Sequence, residues 1–328
     1  MTPKKINVLS LFDGVGTAYL ALTKAGLEIE NYYSSEIDPS ALKVLEYHYS
    51  ANTSFHNIGD VTKVEGMDYL DVDLVIFGSP CTQLSSVNPS NRTGLEGPDS
   101  SLFYEAIRLI KTIYVFRNIG KPLYFLMENV ASMPNKDRDK ITAELEHIFE
   151  DSVQLLKINS SLVSASNRRR YYWTNIPDVT IPESLNITFQ DILENGFADR
   201  EKANVLLSTN VTLTNGIFRY YKRNIGNIVF KSKNFAELPP EEKLIIYPEI
   251  LRNSGYNGKA KSITDEYSFP NNAYRLPSVL ELERLMSFPD GYISSVPNIS
   301  RTEKKKIIGL SFTMNVVSHL VSSLKGCF

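Results

Sequence analysis

A chain of 328 residues, 42% hydrophobic and 22% charged, has the make-up of a globular protein and is long enough for one large domain plus a smaller one. No apolar run is expected to span a membrane and no signal peptide to precede the first strand. Two distant cysteines and four scattered histidines (His48, His56, His147, His319) exclude a disulfide framework and a Cys- or His-rich metal site. The net charge of −2 makes any nucleic-acid surface local. The expectation is a cytosolic, metal-free protein.

Ile6-Asn7-Val8-Leu9-Ser10-Leu11-Phe12 reads as a strand, followed by Asp13-Gly14-Val15-Gly16 and a helical pattern through Ala25. Strand, glycine turn and helix build a nucleotide site in open α/β sheets, because glycines let backbone N–H groups approach a ligand. Tyr19 stands where the dinucleotide fingerprint needs Gly or Ala, which disfavours a nicotinamide enzyme. Twenty residues after Gly16, a second strand (Tyr32-Tyr33-Ser34-Ser35) ends in Glu36, a carboxylate able to accept both hydroxyls of a ribose. Ordinary βα turns remain the alternative reading.

A helix over Pro39 to Tyr49 and a short strand near Phe55 lead to Gly59-Asp60-Val61. Asp60 suits an adenine amino group at the sheet's carboxyl edge and suits a helix N-cap equally. Asp73-Leu74-Val75-Ile76-Phe77 is a buried strand ending in Gly78-Ser79-Pro80-Cys81, which presents a thiol. A small buried hydrophobe is the plain reading of such a cysteine. Residues 82–101, rich in Ser, Asn, Gly and Pro, read as a lid with Gly94 and Gly97 as hinges, before a helix over Leu102 to Phe116.

Leu123-Tyr124-Phe125-Leu126-Met127 is another buried strand, closing in Glu128-Asn129-Val130. It places an acid beside the thiol of the neighbouring strand. A helix near Asp137–Glu150 and a strand over Gln154–Ser160 follow. In Ser166-Asn167-Arg168-Arg169-Arg170-Tyr171-Tyr172-Trp173, alternation puts Arg168 and Arg170 on one face. An edge strand with solvated charges is the alternative there. From Asn175, short strands with Asn and Gly turns take over. Residues 212–236 carry Arg219, Lys222, Arg223, Lys231 and Lys233 with no acid, interleaved with aromatics. That pattern suits a phosphate backbone or a solvated hairpin. A helix over Leu276–Met286 with Pro277 at its start, then Lys304–Ile308 and Thr313–Leu324, are expected to pack back on the first domain.

In this order, Phe12-Asp13-Gly14-Val15-Gly16, Gly78-Ser79-Pro80-Cys81, Glu128-Asn129-Val130 and Arg168-Arg169-Arg170 resemble the motifs of the cytosine-5 DNA methyltransferase family over nearly the whole chain. Leu84 to Pro89, Gly94-Leu95-Glu96-Gly97 and Arg170-Tyr171-Tyr172-Trp173 are most similar to the branch of the animal de novo methyltransferases, at the length of a stand-alone bacterial or phage enzyme. Ser166 departs from a common Gln, and Gly309-Leu310-Ser311-Phe312 from a Gly-Asn-Ser contact.

The resemblance implies a Rossmann-like α/β catalytic domain (1–175 and 276–328) with a mostly parallel sheet, and a smaller, mainly β target-recognition domain (176–275). It implies S-adenosylmethionine as cofactor, with S-adenosylhomocysteine as product and no metal. Cofactor contacts would come from Phe12, Asp13, Gly14, Gly16, Glu36, Ile37, Asp60, Val61, Ser79, Pro80, Leu102, Ser311 and Phe312. Cys81 would add to cytosine C6, Glu128 would serve N3 and the amino group, and Arg168 and Arg170 would hold O2. Double-stranded DNA would be the partner, with the base flipped out, Ser85 and Val87 in the lid, and Arg219, Lys222, Arg223, Lys231 and Lys233 on the backbone. The implied setting is the cytoplasm of a bacterial or phage-infected cell, with or without a restriction endonuclease. A tRNA-directed member of the family and a catalytically silent DNA-binding subunit are the alternatives. A two-cysteine RNA methyltransferase would need a second thiol in Met127-Glu128-Asn129, which has none.

Overall fold

The computed structural model describes residues 5–80, 94–97, 102–118, 120–206, 220–221, 224–240 and 274–328. The chain divides into two compact units. The first joins Met1–Ser160, Arg169–Glu183 and Ser311–Phe328; the second joins Ser161–Arg168 and Ser184–Leu310.

The first unit is built on a seven-stranded sheet. Its strands are β1 (Ile6–Leu11), β2 (Ile29–Ser35), β3 (Phe55–Asn57), β4 (Leu74–Phe77), β5 (Tyr124–Val130), β6 (Gln154–Asn159) and, after the two-residue β7 (Ser166–Asn167) of the other unit, β8 (Arg169–Thr174). The order across the sheet is β3-β2-β1-β4-β5-β8-β6. The first five run parallel, and β8 lies antiparallel between β5 and β6. The chain therefore leaves β1 in one direction toward β3 and returns to its other side with β4. That reversal makes the carboxyl ends of β1 and β4 the place where an open α/β sheet takes a ligand.

Parallel strands covered on both faces need continuous apolar runs, which is why Leu74-Val75-Ile76-Phe77 is wholly buried. On one face Leu9, Leu11, Val75, Phe77, Phe125 and Met127 pack with helices α3 (Leu102–Phe116) and α4 (Asn135–Phe149), through Phe103, Ile110, Ile141, Leu145 and Phe149. Helix α1 (Thr17–Lys24) packs against the C-terminal helix α8 (Met314–Ser322), where Lys24 Nζ donates to Asn315 Oδ1 at 2.6 Å. Helix α2 (Pro39–Tyr49) starts where Asp38 accepts the N–H groups of Ser40 and Ala41, with Pro39 as its first residue. Tyr19 fits between these layers, its ring 4.8 Å from that of Tyr49 and 5.2 Å from that of Tyr32. A partly buried aromatic thus occupies the position where a dinucleotide fingerprint places its last glycine.

The second unit is less regular. Its described strands are pairs of two residues each: β7 with β9 (Ala203–Asn204), and β10 (Val229–Phe230) with β11 (Tyr274–Arg275). Helices α5 (Lys233–Glu237), α6 (Val279–Leu285) and α7 (Arg301–Leu310) accompany them. Tyr220, Ile228, Phe230, Ala236 and Tyr274 form its small core.

Among the described residues, the strands of this unit are two residues long and side chains also join its segments. Lys202 Nζ alone donates to the carbonyls of Ser161, Ser164 and Ile187. Residues 276–310 group with this unit rather than with the first. Their buried carboxylates explain it: Glu281 accepts Glu194 N–H at 2.9 Å and pairs with Arg275 at 2.6 Å. Arg301–Gly326 is 26 residues long and apolar enough to cross a membrane, but it is broken between α7 and α8 and 72% of its apolar window is buried within the fold.

Candidate active site

Strand register places the site. Leu11 pairs with Ser35 on one side and Phe77 on the other, and Phe77 pairs with Met127. The next residue of each strand, namely Phe12, Glu36, Gly78 and Glu128, therefore lies along one carboxyl edge of the sheet. The glycine turn, the Glu36 carboxylate, the Gly-Ser-Pro turn and the Glu128 carboxylate meet there because β1, β2 and β4 end in step while β5 runs on through Glu128.

The glycine turn is tightly wound. Phe12, Gly14 and Gly16 have φ of 56°, 63° and 76°. At Phe12, a non-glycine residue, that conformation costs about 1–3 kcal/mol and persists only where surroundings impose it. Gly14 N–H donates to Glu36 Oε2 at 2.7 Å, while Glu36 Oε1 accepts Ile37 and Asp38 N–H at 2.7 Å each. Asp13 is buried and accepts hydroxyls from Ser10, Tyr32 and Ser34. Burial raises its pKa to about 6, against the pull of those hydroxyls.

Asp60 caps the short helix Val61–Lys63, its Oδ1 accepting both the N–H and the hydroxyl of Thr62. Those bonds hold its pKa below the ordinary value. Val61 is a core residue and Leu102, the first of α3, is partly buried against the same core.

These residues fit an adenosine-type group on two observations. Nothing lies within 4 Å of where a side chain on Gly14 would begin, so the turn has an open face. Ile37, directly after Glu36, is 66% exposed, an apolar surface beside a carboxylate at the ligand edge.

At the end of β4, a Cβ on Gly78 would lie 2.7 Å from the Phe312 ring, so only glycine lets the two pack. Ser311 and Phe312 are both buried. Ser79 is buried, and Asn129 Nδ2 donates to its Oγ at 3.2 Å, fastening the turn to β5. Cys81, one residue beyond Pro80, lies outside the described residues, as do Ser85, Val87, Arg219, Lys222 and Arg223.

Glu128 and Arg170 form an ion pair, Nε to Oε1 at 2.8 Å, with side chains only 11% and 13% exposed. The antiparallel register of β8 on β5, with Val130 opposite Arg170, brings them together. Arg168 is buried in the second unit, where its Nη1 donates to Gly309 O at 3.2 Å. By contact grouping Arg168 belongs to the second unit and Arg170 to the first. Lys231 lines a cavity of about 650 Å³ with Glu194, Arg275 and Arg301, and Lys233 pairs with Glu237 at 3.7 Å.

Gly94, expected as a hinge, and its neighbour Leu95 are packed. Leu95 is buried in the core, and a Cβ on Gly94 (φ 72°) would lie 2.9 Å from Asp137 Oδ1. Sequence reasoning missed Ser10, Tyr32 and Ser34 as partners of Asp13, and Asn129 as partner of Ser79. Strand alternation does place Tyr32 and Ser34 on one face, which was the available signal.

The model of the C-5 cytosine-specific DNA methylase family matches residues 6–326. The orphan methyltransferase M.SPRI of Bacillus phage SPR is 29% identical over 199 residues, 58% of this chain and 43% of that protein. The Type II methyltransferase M.NgoBV of Neisseria gonorrhoeae is 28% identical over 209 residues, 59% of this chain and 47% of that protein. The matched stretch thus spans less than half the length of either relative. The solved Entamoeba histolytica methyltransferase EhMeth aligns over 99% of both chains with a TM-score of 0.66 and 13% identity. The S. pombe Dnmt2 methyltransferase aligns over 99% of both with a TM-score of 0.65 and 17% identity. At those identities the likeness is one of fold. With a family model covering nearly every residue and the motifs falling on one sheet edge, the chain belongs to the C-5 cytosine-specific DNA methylases.

Proposed function

We propose that this protein transfers a methyl group from S-adenosylmethionine to C5 of a cytosine flipped out of duplex DNA. The observation that carries the reading is the strand register: it sets Glu128, ion-paired to Arg170, on the same edge as the Gly78-Ser79-Pro80 turn that leads into Cys81.

Phe12, Gly14, Gly16, Glu36, Ile37, Asp60, Ser79, Pro80 and Phe312 are the residues that would hold the cofactor. Bound there, S-adenosylmethionine supplies an electrophilic methyl group. Cytosine C5 is a poor nucleophile, and the Cys81 thiolate corrects this by adding to C6, which makes the ring an enamine. Glu128 stabilises the added electron density by hydrogen bonding or proton donation at N3 and accepts from the 4-amino group. Arg170, fixed by Glu128, serves O2. Once C5 carries the methyl, its proton leaves and the C6–S bond breaks, freeing Cys81. The ring must leave the base stack for any of this.

The second unit, with Arg219, Lys222, Arg223, Lys231 and Lys233, reads the flanking sequence and backbone in this proposal, and Ser85 and Val87 act from the lid. The relatives carry both orphan and Type II names, so the proposed setting is a bacterial or phage-infected cytoplasm with or without a partner endonuclease.

Duplex DNA with 5-fluorocytosine in methylatable sites tests the reading. Fluorine at C5 cannot leave as a cation, so a complex stable to denaturant should accumulate only with S-adenosylmethionine present. Cys81→Ser should abolish it, because an alkoxide is far harder to form than a thiolate. Methyl transfer to tRNA but not to DNA would replace the substrate. Complex formation undiminished in Cys81→Ser would remove the nucleophile.

A further inference from the structure

The cofactor turn contains a carboxylate that the proposed chemistry does not use. Asp13 is 3% exposed, and three hydroxyls from two strands converge on it. Ser10 O–H and Tyr32 O–H reach Oδ1 at 2.6 and 2.7 Å, and Ser34 O–H reaches Oδ2 at 2.7 Å. The adjoining backbone is tied to the same neighbour, Asp13 N–H donating to Ser35 O at 3.1 Å and Gly14 N–H to Glu36 Oε2 at 2.7 Å. The turn it belongs to has three left-handed residues, one of them Phe12, so an external restraint has to hold its shape.

We propose that Asp13 is a positioning residue rather than a cofactor contact: its ionised carboxylate, clamped by Ser10, Tyr32 and Ser34, holds the Phe12–Gly16 turn in register with Glu36. The inference rests on the reading that S-adenosylmethionine occupies this edge. An ionised carboxylate only accepts, which matches three O–H donors. A protonated one brings a fourth donor into the cage, and a hydroxyl must turn away.

The groups facing the cage define its response to pH. Burial is the largest influence on Asp13 and raises its pKa to about 6; the hydroxyls of Ser10, Ser34 and Tyr32 oppose this, and the Glu36 charge adds to it. Tyr32 stays neutral, since burial and then Asp13 push its phenol well above the ordinary value, with Tyr49 contributing from α2. The clamp is therefore complete above about pH 6 and lost as pH falls through it. Folding stability moves the other way. A raised carboxyl pKa means that the folded chain holds the proton more tightly than the unfolded one. This group thus adds stability as pH drops from about 6. A purely structural carboxylate would not separate the two trends.

Calorimetric titration of the full chain with S-adenosylhomocysteine from pH 5 to 8 tests this, with thermal melts alongside. Wild-type affinity should fall below the transition and level off about tenfold lower, where the protonated carboxyl, like the amide of Asp13→Asn, no longer completes the clamp. Asp13→Asn should bind about tenfold more weakly at pH 7.5, the scale of losing hydrogen bonds to a charged acceptor. Its affinity should be nearly flat in pH. Ser34→Ala, which keeps the carboxylate but removes one donor, should start the fall at higher pH, and it carries the test if Asp13→Asn does not fold. Wild-type affinity and slope in both variants would overturn the positioning role. No binding of S-adenosylhomocysteine by the wild type at any pH would instead overturn the cofactor reading beneath it.

Discussion

Gly78 matters for what it lacks. The Phe312 ring lies where its side chain would begin, at 2.7 Å from the Cβ position, so Gly78→Ala must push the ring off the end of β4. Over-packing of this kind costs about 1–3 kcal/mol, and a thermal melt should show it as a lowered midpoint. S-adenosylhomocysteine affinity should drop with it, since Ser79 and Pro80 follow directly. The Glu128–Arg170 pair is the residue-scale feature on which the proposed chemistry leans most. Arg170→Ala leaves a largely buried carboxylate without its cation, which typically costs about 3–5 kcal/mol where the pair is fully buried and less here. Methyl transfer should fall by orders of magnitude, with cofactor affinity kept; affinity lost in parallel would make the pair a general support of the fold. Glu128 was legible as the acid closing an apolar run, Arg170 as one of two arginines on a single strand face, and Glu36 as a carboxylate after β2. Their contacts were not legible, because a 2.8 Å pair depends on which residues of β5 and β8 stand opposite each other, and sequence alone does not fix that register.

Element boundaries followed the sequence wherever hydrophobic period and caps agreed. The helices Pro39–Tyr49 and Leu102–Phe116 begin and end where their patterns do. The second unit resisted because strands of two residues are too short to show alternation. Helix α6 was legible only in part, since Pro277 marks its approach while Ser278 makes the cap, in a capping box with Glu281. Its pattern also hides two buried carboxylates. Glu281 bonds Arg275, Ser278 and Glu194; Glu283 accepts the N–H groups of Gly291, Ile293 and Ser294. Burial by itself would raise the Glu281 pKa, but Arg275 and the two N–H donors outweigh it and leave it below the ordinary value. With a depressed folded pKa, the stability it contributes is present above the usual carboxylate range and disappears as pH falls through the folded value. Melting of the wild type should therefore lose stability in acid that Glu281→Gln, already lower at pH 7, does not lose again. Parallel acid profiles would show that other carboxylates dominate. Glu283→Ala should be worse at neutral pH, because it leaves several buried N–H groups without an acceptor at about 1–3 kcal/mol each.

At the scale of the whole molecule, charge decides what remains open. A net charge of −2 and a pI near 6.2 give the chain no general attraction for a polyanion. The proposed affinity for DNA then has to come from a local patch, and residues 212–236 hold five basic side chains and no acid. The sequence pointed to this stretch because composition is visible without structure. It did not show that Lys233 already faces Glu237 at 3.7 Å, one turn along α5. The binding contribution can be counted through salt. Each phosphate neutralised releases condensed counterion, so log affinity falls against log salt with a slope of roughly −0.9 per contact on duplex DNA. Replacing Lys222 and Arg223 together by Ala should therefore reduce the magnitude of the slope by about two units if each meets one phosphate. Lys233→Ala should change it less, because part of its charge is answered by Glu237. Fluorescence anisotropy on duplexes of unrelated sequence from 50 to 300 mM salt, as approximate limits, reads this sequence-independent part directly. An unchanged slope in the double variant would take the 212–236 stretch out of the DNA interface. The attraction would then have to come from cations elsewhere on a chain whose acids outnumber its bases.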